Sequence, residues 1–198
     1  MPEKPRVLLL HGLADSRLRL LPMALYLKRQ GWAVPNIGYP STRFPVETLV
    51  EQHLLPVIEA HRQEGPLNFV THSMGGILVR AWRERDPATP VGRVVMLAPG
   101  HGGSPLMDAY WRFPMLRAYY GPAARQIGKE VCLPCQLKDP VNYDLGILAA
   151  VNVPLFDPLA LLSTPWPQDG RVTLEDTRLR GMKDHMVLPA SHERLPQH

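Results

Sequence analysis

The stretch Phe69-Val-Thr-His-Ser-Met-Gly-Gly76 sets a serine at the junction of an apolar run and a helix-forming one. A hydroxyl that is to attack a carbonyl must stand clear of a sheet edge, and a sharp strand-to-helix turn lifts it there. The tightness of such a turn demands small residues two before and two after the serine. Gly75 meets that demand behind Ser73, and Gly76 adds room where helix and sheet approach. Thr71, in front, is β-branched and crowds the turn. A helix opening at Met74 aims backbone N–H groups at the place where negative charge develops. A second reading makes Ser73 a plain helix cap, which leaves the His11-Gly12 pair after the first apolar run unexplained.

A serine nucleophile needs a base within hydrogen-bond reach and a third group to orient that base. The histidines downstream are His101, His185, His192 and His198. In a parallel α/β sheet, chemistry sits beyond the carboxyl ends of the strands. His192 follows the apolar run Met186-Val-Leu188 and falls at that end, whereas His185 precedes the run and falls at the other. His101 also falls at the active end, and His198 is terminal.

The elements that must position these groups alternate. Val7–Leu10 is a short continuous apolar run, as expected of a strand buried on both faces. Leu18–Gln30 has helical periodicity, with Leu18, Leu21, Leu25 and Tyr26 on one side and Gly31 as a stop. Trp32–Ile37 reads as a second strand marred by Pro35, and Val46–Glu64 as a helix kinked or offset at Pro56. Leu67–Thr71, Ser73–Arg85 and Arg93–Leu97 read as strand, helix and strand. Further strands are expected at Leu145–Val151 and Met186–Leu188, and a short one at Arg171–Leu174. The stretches 104–142 and 152–170 read as long, proline-rich connections. Strand–helix alternation implies an α/β fold: a mostly parallel sheet of about six strands with helices on both faces.

Composition bounds the function. The chain has 198 residues, 45% of them hydrophobic and 20% charged, which suits one domain over residues 1–198. No apolar run reaches membrane-spanning length. Val7–Leu10 is too short for a signal peptide, so the expected location is the cytoplasm. The net charge of +4 comes from scattered lysines and arginines interleaved with acids, which argues against a nucleic-acid partner. Cys132 and Cys135 form a lone C-x-x-C. They read first as ordinary loop cysteines, then as a local disulfide, and last as metal ligands, since zinc wants four ligands. No metal site and no phosphate-binding glycine loop is found, so neither a metal nor a cofactor is expected.

His72-Ser73-Met74-Gly75-Gly76 after an apolar strand resembles the nucleophile elbow of bacterial lipases and esterases of the α/β-hydrolase superfamily. Val7-Leu-Leu-Leu-His-Gly-Leu13 resembles the oxyanion strand and loop of the same superfamily, and Gly38–Thr42 and Thr177–His192 resemble a group of lipase-like hydrolases. The superfamily pattern is G-x-S-x-G, from which Thr71 departs. The resemblance implies a compact α/β-hydrolase fold with no large cap domain, and the chain order serine, acid, histidine. His101 then precedes any suitable acid. Asp169 in Pro167-Gln-Asp-Gly170 resembles the triad aspartate before a short hydrophobic run, with Asp184, Asp157 and Asp144 as alternatives. Asp-Gly is also a common surface turn. The implied site is Ser73, Asp169 and His192, with the N–H groups of Leu13 and Met74 as oxyanion donors. The implied activity is hydrolysis of small-molecule or lipid carboxylic esters. Other readings are acyl transfer on the same scaffold and a degenerate hydrolase fold used for binding. Family members place a lid or acyl-binding wall where residues 104–142 fall. Trp111, Phe113 and Tyr119 are then wall candidates, or else aromatics that pack a helix onto the sheet.

Overall fold

The computed structural model describes residues 4–152 and 158–197. Six parallel strands form one sheet: β1 (Val7–Leu10), β2 (Asn36–Ile37), β3 (Leu67–His72), β4 (Val91–Leu97), β5 (Asp144–Ala150) and β6 (Asp184–Leu188), in the order β2-β1-β3-β4-β5-β6. Chain order reverses beside β1. The loops that leave the carboxyl ends of β1 and β3 therefore part to opposite sides of the sheet and open a crevice between them.

Strand alternation divides the core. Leu8 and Leu10 of β1 join Phe69, Val94, Met96, Leu145 and Ile147 under one layer of helices. That layer comprises α2 (Val46–Leu49), α3 (Leu55–His61), α4 (Met74–Arg85), α5 (Pro105–Trp111), α6 (Pro114–Gln126) and α7 (Leu133–Gln136). Val7 and Leu9 face the other way, onto Leu20 and onto Ala24 of α1 (Leu21–Arg29). A last element, α8 (Pro158–Ser163), packs on α5.

Four local expectations are corrected. Residues Arg17–Leu20 form a 3-10 turn capped by Ser16, and α1 starts only at Leu21, where Pro22 suits a first helical turn. The stripe Leu18, Leu21, Leu25 and Tyr26 points to solvent, and Leu20 and Ala24 are the residues buried. Periodicity finds a face but not its partner; here the small Ala24 lets the helix lie close to β1. The second strand shrinks to Asn36–Ile37, because Pro35 has no N–H to continue the ladder. Arg171–Leu174 contributes only an isolated bridge from Thr173 to Gln168.

Prolines explain two further features. Ahead of Pro56 the helix widens into a π turn over Val50–Leu54, with Leu55 N–H bonded to the Val50 carbonyl, so the missing donor is absorbed without breaking the helix. The 104–142 stretch, read as a long proline-rich connection with a helix as one reading of its aromatics, holds three helices, each with proline in its first turn. In that position the missing donor does no harm. Within α6, Gly121 has φ 71°, separating an outer turn (Pro114–Tyr120) from an inner one that buries Ala123 and Ala124. A Cβ at Gly121 would collide with the backbone of Thr42.

Cys132 and Cys135, read first as ordinary loop cysteines with a local disulfide as the alternative, form the disulfide. The tight turn that bonds Cys135 N–H to the Cys132 carbonyl leaves their Cα atoms 5.3 Å apart. At the sheet edge, Met186 and Val187 of β6 are exposed. Among the described residues no helix is long and apolar enough to cross a membrane.

Candidate active site

The crevice beside β1 holds a cavity of about 200 Å³, lined by Gly12, Leu13, Ser73, Met74 and His192 among others. Ser73 alone makes the corner between β3 and α4, at φ 51° and ψ −123°. For a residue with a Cβ this is a costly conformation, on the order of 1–3 kcal/mol. Neighbours hold it there. Ser73 N–H donates to the Leu97 carbonyl of β4 at 2.8 Å, and the Ser73 carbonyl accepts from Gly76 N–H at 3.1 Å. The side chain makes no capping bond to α4, so the plain-cap reading has no support.

The glycines around the corner are steric requirements. A Cβ on Gly75 would stand 2.7 and 2.8 Å from the carbonyl oxygens of Leu10 and His11. A Cβ on Gly12 would stand 3.0 Å from that of Ser73. The misfit at Thr71 resolves in the same way. Its hydroxyl lies 3.2 Å from the place a Gly76 Cβ would take, so the room missing at 71 is supplied at 76.

The loop after β1 is fixed from beneath. Tyr39 N–H donates to His11 Nε2 at 3.3 Å, so Nδ1 carries the proton and donates to the Gly12 carbonyl at 2.9 Å. The Tyr39 hydroxyl donates to the His11 carbonyl, and the two rings stack at 4.1 Å. Burial lowers the His11 pKa and raises that of Tyr39. Leu13 follows, on the cavity wall.

Asp169 and His192 meet in two places. His192 N–H donates to the Asp169 carbonyl at 2.9 Å, and His192 Nδ1 lies 2.7 Å from Asp169 Oδ2. The other carboxylate oxygen accepts the N–H groups of Arg171 and Val172, each at 2.9 Å. Asp169 is fully buried, and these bonds satisfy both of its carboxylate oxygens. With Nδ1 given to the carboxylate, Nε2 is the nitrogen left for chemistry.

The other candidates lie elsewhere. His101 is buried, with Nδ1 accepting from the Arg80 guanidinium at 3.2 Å; burial and then the Arg80 charge push its pKa well below the ordinary value. His185 lies inside β6 against the Thr177 hydroxyl. Asp144 and Asp184 open β5 and β6, at the end of the sheet away from the cavity. Asp157 and His198 fall outside the described residues. Of the wall candidates, Tyr119 reaches the cavity, together with Tyr120 and Met107. Trp111 and Phe113 do not: Trp111 meets the guanidinium groups of Arg117 and Arg125, and Phe113 is half exposed at the start of α6. Among the described residues no group of three or more histidines, cysteines or carboxylates is placed to hold a metal ion.

The structure adds residues that no spacing announced. The His72 ring lies 4.9 Å from the His192 ring, and its Nε2 donates to the His192 carbonyl at 3.0 Å. Burial, then the neighbouring His192, drives the His72 pKa well down, so it stays neutral. Arg19 bonds Asp15 at 2.9 Å and donates to the Glu193 carbonyl at 3.2 Å. Glu193 in turn pairs with Arg171 at 2.9 Å, and Arg171 donates to the Tyr110 hydroxyl at 2.8 Å. Burial opposes the Arg171 charge, but Glu193 and the tyrosines outweigh it and raise its pKa. This chain ties the loops after β1 and β6 together, 174 residues apart in sequence, which is why local pattern carries no sign of it.

Solved structures similar to this one include the mature form of the Bacillus licheniformis lipase BlEst2, with TM-score 0.75 and 19% identity over 99% of this chain and 88% of that one. The metagenomic carboxyl esterase MGS0156 superposes with TM-score 0.71 and 20% identity over 97% of this chain and 65% of that one. The RedJ thioesterase of the prodiginine pathway in Streptomyces coelicolor gives TM-score 0.60 and 12% identity, covering 99% and 84%. At such identities the likeness speaks for the fold. Comparison with curated proteins gives no match. The model of the alpha/beta hydrolase family, however, matches residues 7–197, and with the parallel sheet and strand order described above this chain belongs to that family.

Proposed function

We propose that the protein is a serine hydrolase of carboxylic esters, acting through Ser73, His192 and Asp169. The observation that carries this reading is the 2.7 Å contact of His192 Nδ1 with a fully buried Asp169 carboxylate, in a cavity that also takes the strained Ser73. His192 Nε2 removes the Ser73 proton as Oγ attacks the ester carbonyl. Asp169 keeps the imidazole in the right tautomer and stabilises the imidazolium. The N–H groups of Leu13 and Met74 receive the oxyanion; each such donor is worth roughly 10²–10³ in rate. The imidazolium protonates the leaving alcohol, leaving an acyl group on Ser73. His192 then activates water, whose attack releases the acid and restores the serine. The cavity is smaller than pockets that enclose a drug-sized ligand, so it takes the carbonyl and a short length of chain, with the rest of the substrate outside.

The test is labelling with a fluorophosphonate probe, alongside hydrolysis of a p-nitrophenyl ester series. Wild type is expected to label and turn over. Ser73→Ala should lose labelling and on the order of 10⁶ in kcat. Equal labelling of both proteins would refute the assignment of the nucleophile. Product analysis with added alcohol separates hydrolysis from acyl transfer.

A further inference from the structure

The outer turn of α6 faces solvent with side chains that water does not favour. Met115 is 86% exposed, Tyr119 63% and Phe113 50%. Met115 and Tyr119 are one helical turn apart and share a face, while Leu116 and Tyr120 pack inward. Its charge is one-sided. Between Asp108 and Glu130 the sequence has four basic residues and no acidic one. Two of the four are ion-paired, Arg125 with Glu130 and Lys129 with Asp176, and Arg117 lies over the Trp111 ring. Arg112 and Arg117 have no ion-pair partner among the described residues. The same turn carries Tyr119 and Tyr120 into the cavity wall, so this surface borders the site.

We propose that this turn of α6, with Arg112 before it, docks on an anionic lipid surface. The apolar side chains enter the headgroup boundary and the two arginines meet negative headgroups. Charge decides the occupant. A second copy docked face to face would set Arg112 and Arg117 against their own counterparts, with no acid in the segment to answer them. The apolar residues also stand on the outside of a helix, a shape that enters a soft surface. The docking is independent of the ester chemistry, although it would bring lipid esters to the border of the cavity.

The test is co-sedimentation of the full chain with vesicles of phosphatidylcholine alone, or with about 30 mol% phosphatidylglycerol. Wild type is expected on the anionic vesicles, with binding weakened by salt. Met115→Ser should weaken it by about tenfold, and Arg112→Glu with Arg117→Glu by more than about tenfold. Thermal melts of these surface variants check that each is folded. Soluble-ester turnover by Met115→Ser should match wild type. No sedimentation, equal sedimentation on both vesicles, or binding indifferent to the substitutions overturns the proposal. So does a concentration-dependent dimer that Met115→Ser abolishes, which would make a second copy the occupant. Because binding is read without turnover, an inactive protein that still sediments counts against the ester reading and leaves this one standing.

Discussion

The Ser73 corner and the Asp169–His192 pair line one cavity and are held by opposite means. The corner is made of consecutive residues whose backbone is forced: Ser73 at positive φ, Gly75 pressed against two carbonyl oxygens, and a ladder bond to Leu97. The pair is made of loops that meet only in the folded chain, joined by hydrogen bonds and by the Asp15–Arg19–Glu193–Arg171 chain around them. Steric compulsion is local and unforgiving, whereas a hydrogen-bonded junction can lose one member and keep its shape. The two sides should therefore fail differently.

Asp169→Asn is expected to have the larger effect on turnover. The amide keeps the shape but offers a donor where His192 needs an acceptor, so kcat should fall about 10⁴-fold with little change in melting temperature. A large drop in stability instead would mean that the pair is as compulsory as the corner. Gly75→Ala should do the reverse. The added methyl must displace the backbone of Leu10 or His11, lowering stability by about 2 kcal/mol in urea titration, and a misplaced β1 loop should cost roughly 10² in kcat/KM. Ser73→Gly sharpens the contrast. It ends activity but relieves the positive φ, and a net gain of about 1 kcal/mol is expected, since glycine's own entropy cost offsets part of the relief. A loss would show that the serine is not strained.

A further effect is on pH dependence, and it comes from buried histidines, of which His72 belongs to the junction and His101 lies outside it. His11, His72 and His101 are buried with pKa values below the ordinary 6.5. The unfolded chain binds protons at these positions that the folded one refuses. Stability is thus whole above pH 6.5 and falls as pH drops below it, by up to about 1.4 kcal/mol per pH unit for each histidine. His101→Gln, away from the cavity, should shallow that slope by about one such step in urea titrations from pH 7.5 to 5. An unchanged slope would mean that His101 takes a proton when folded.

The same contrast explains what the sequence discloses. β1, β3, α4, β4 and the Ser73 corner are legible because each is fixed within a few residues: an apolar run, a helix start, a glycine where nothing else fits. His192 could be nominated from loop position and Asp169 from the family resemblance, but not their contact, which depends on how the chain returns after β5. His72, Arg19 and Arg171 were invisible for the same reason. The solvent-facing stripe of α1 shows the limit of periodicity, which is blind to what lies opposite. The helices of 104–142 were hidden by prolines that punctuate loops and open helices alike.

The closeness of Thr71 and Gly76 makes the corner a jointly filled space. Thr71 of β3, Met96 of β4 and Gly76 of α4 share one small space, so bulk added at any of the three must be given up at another.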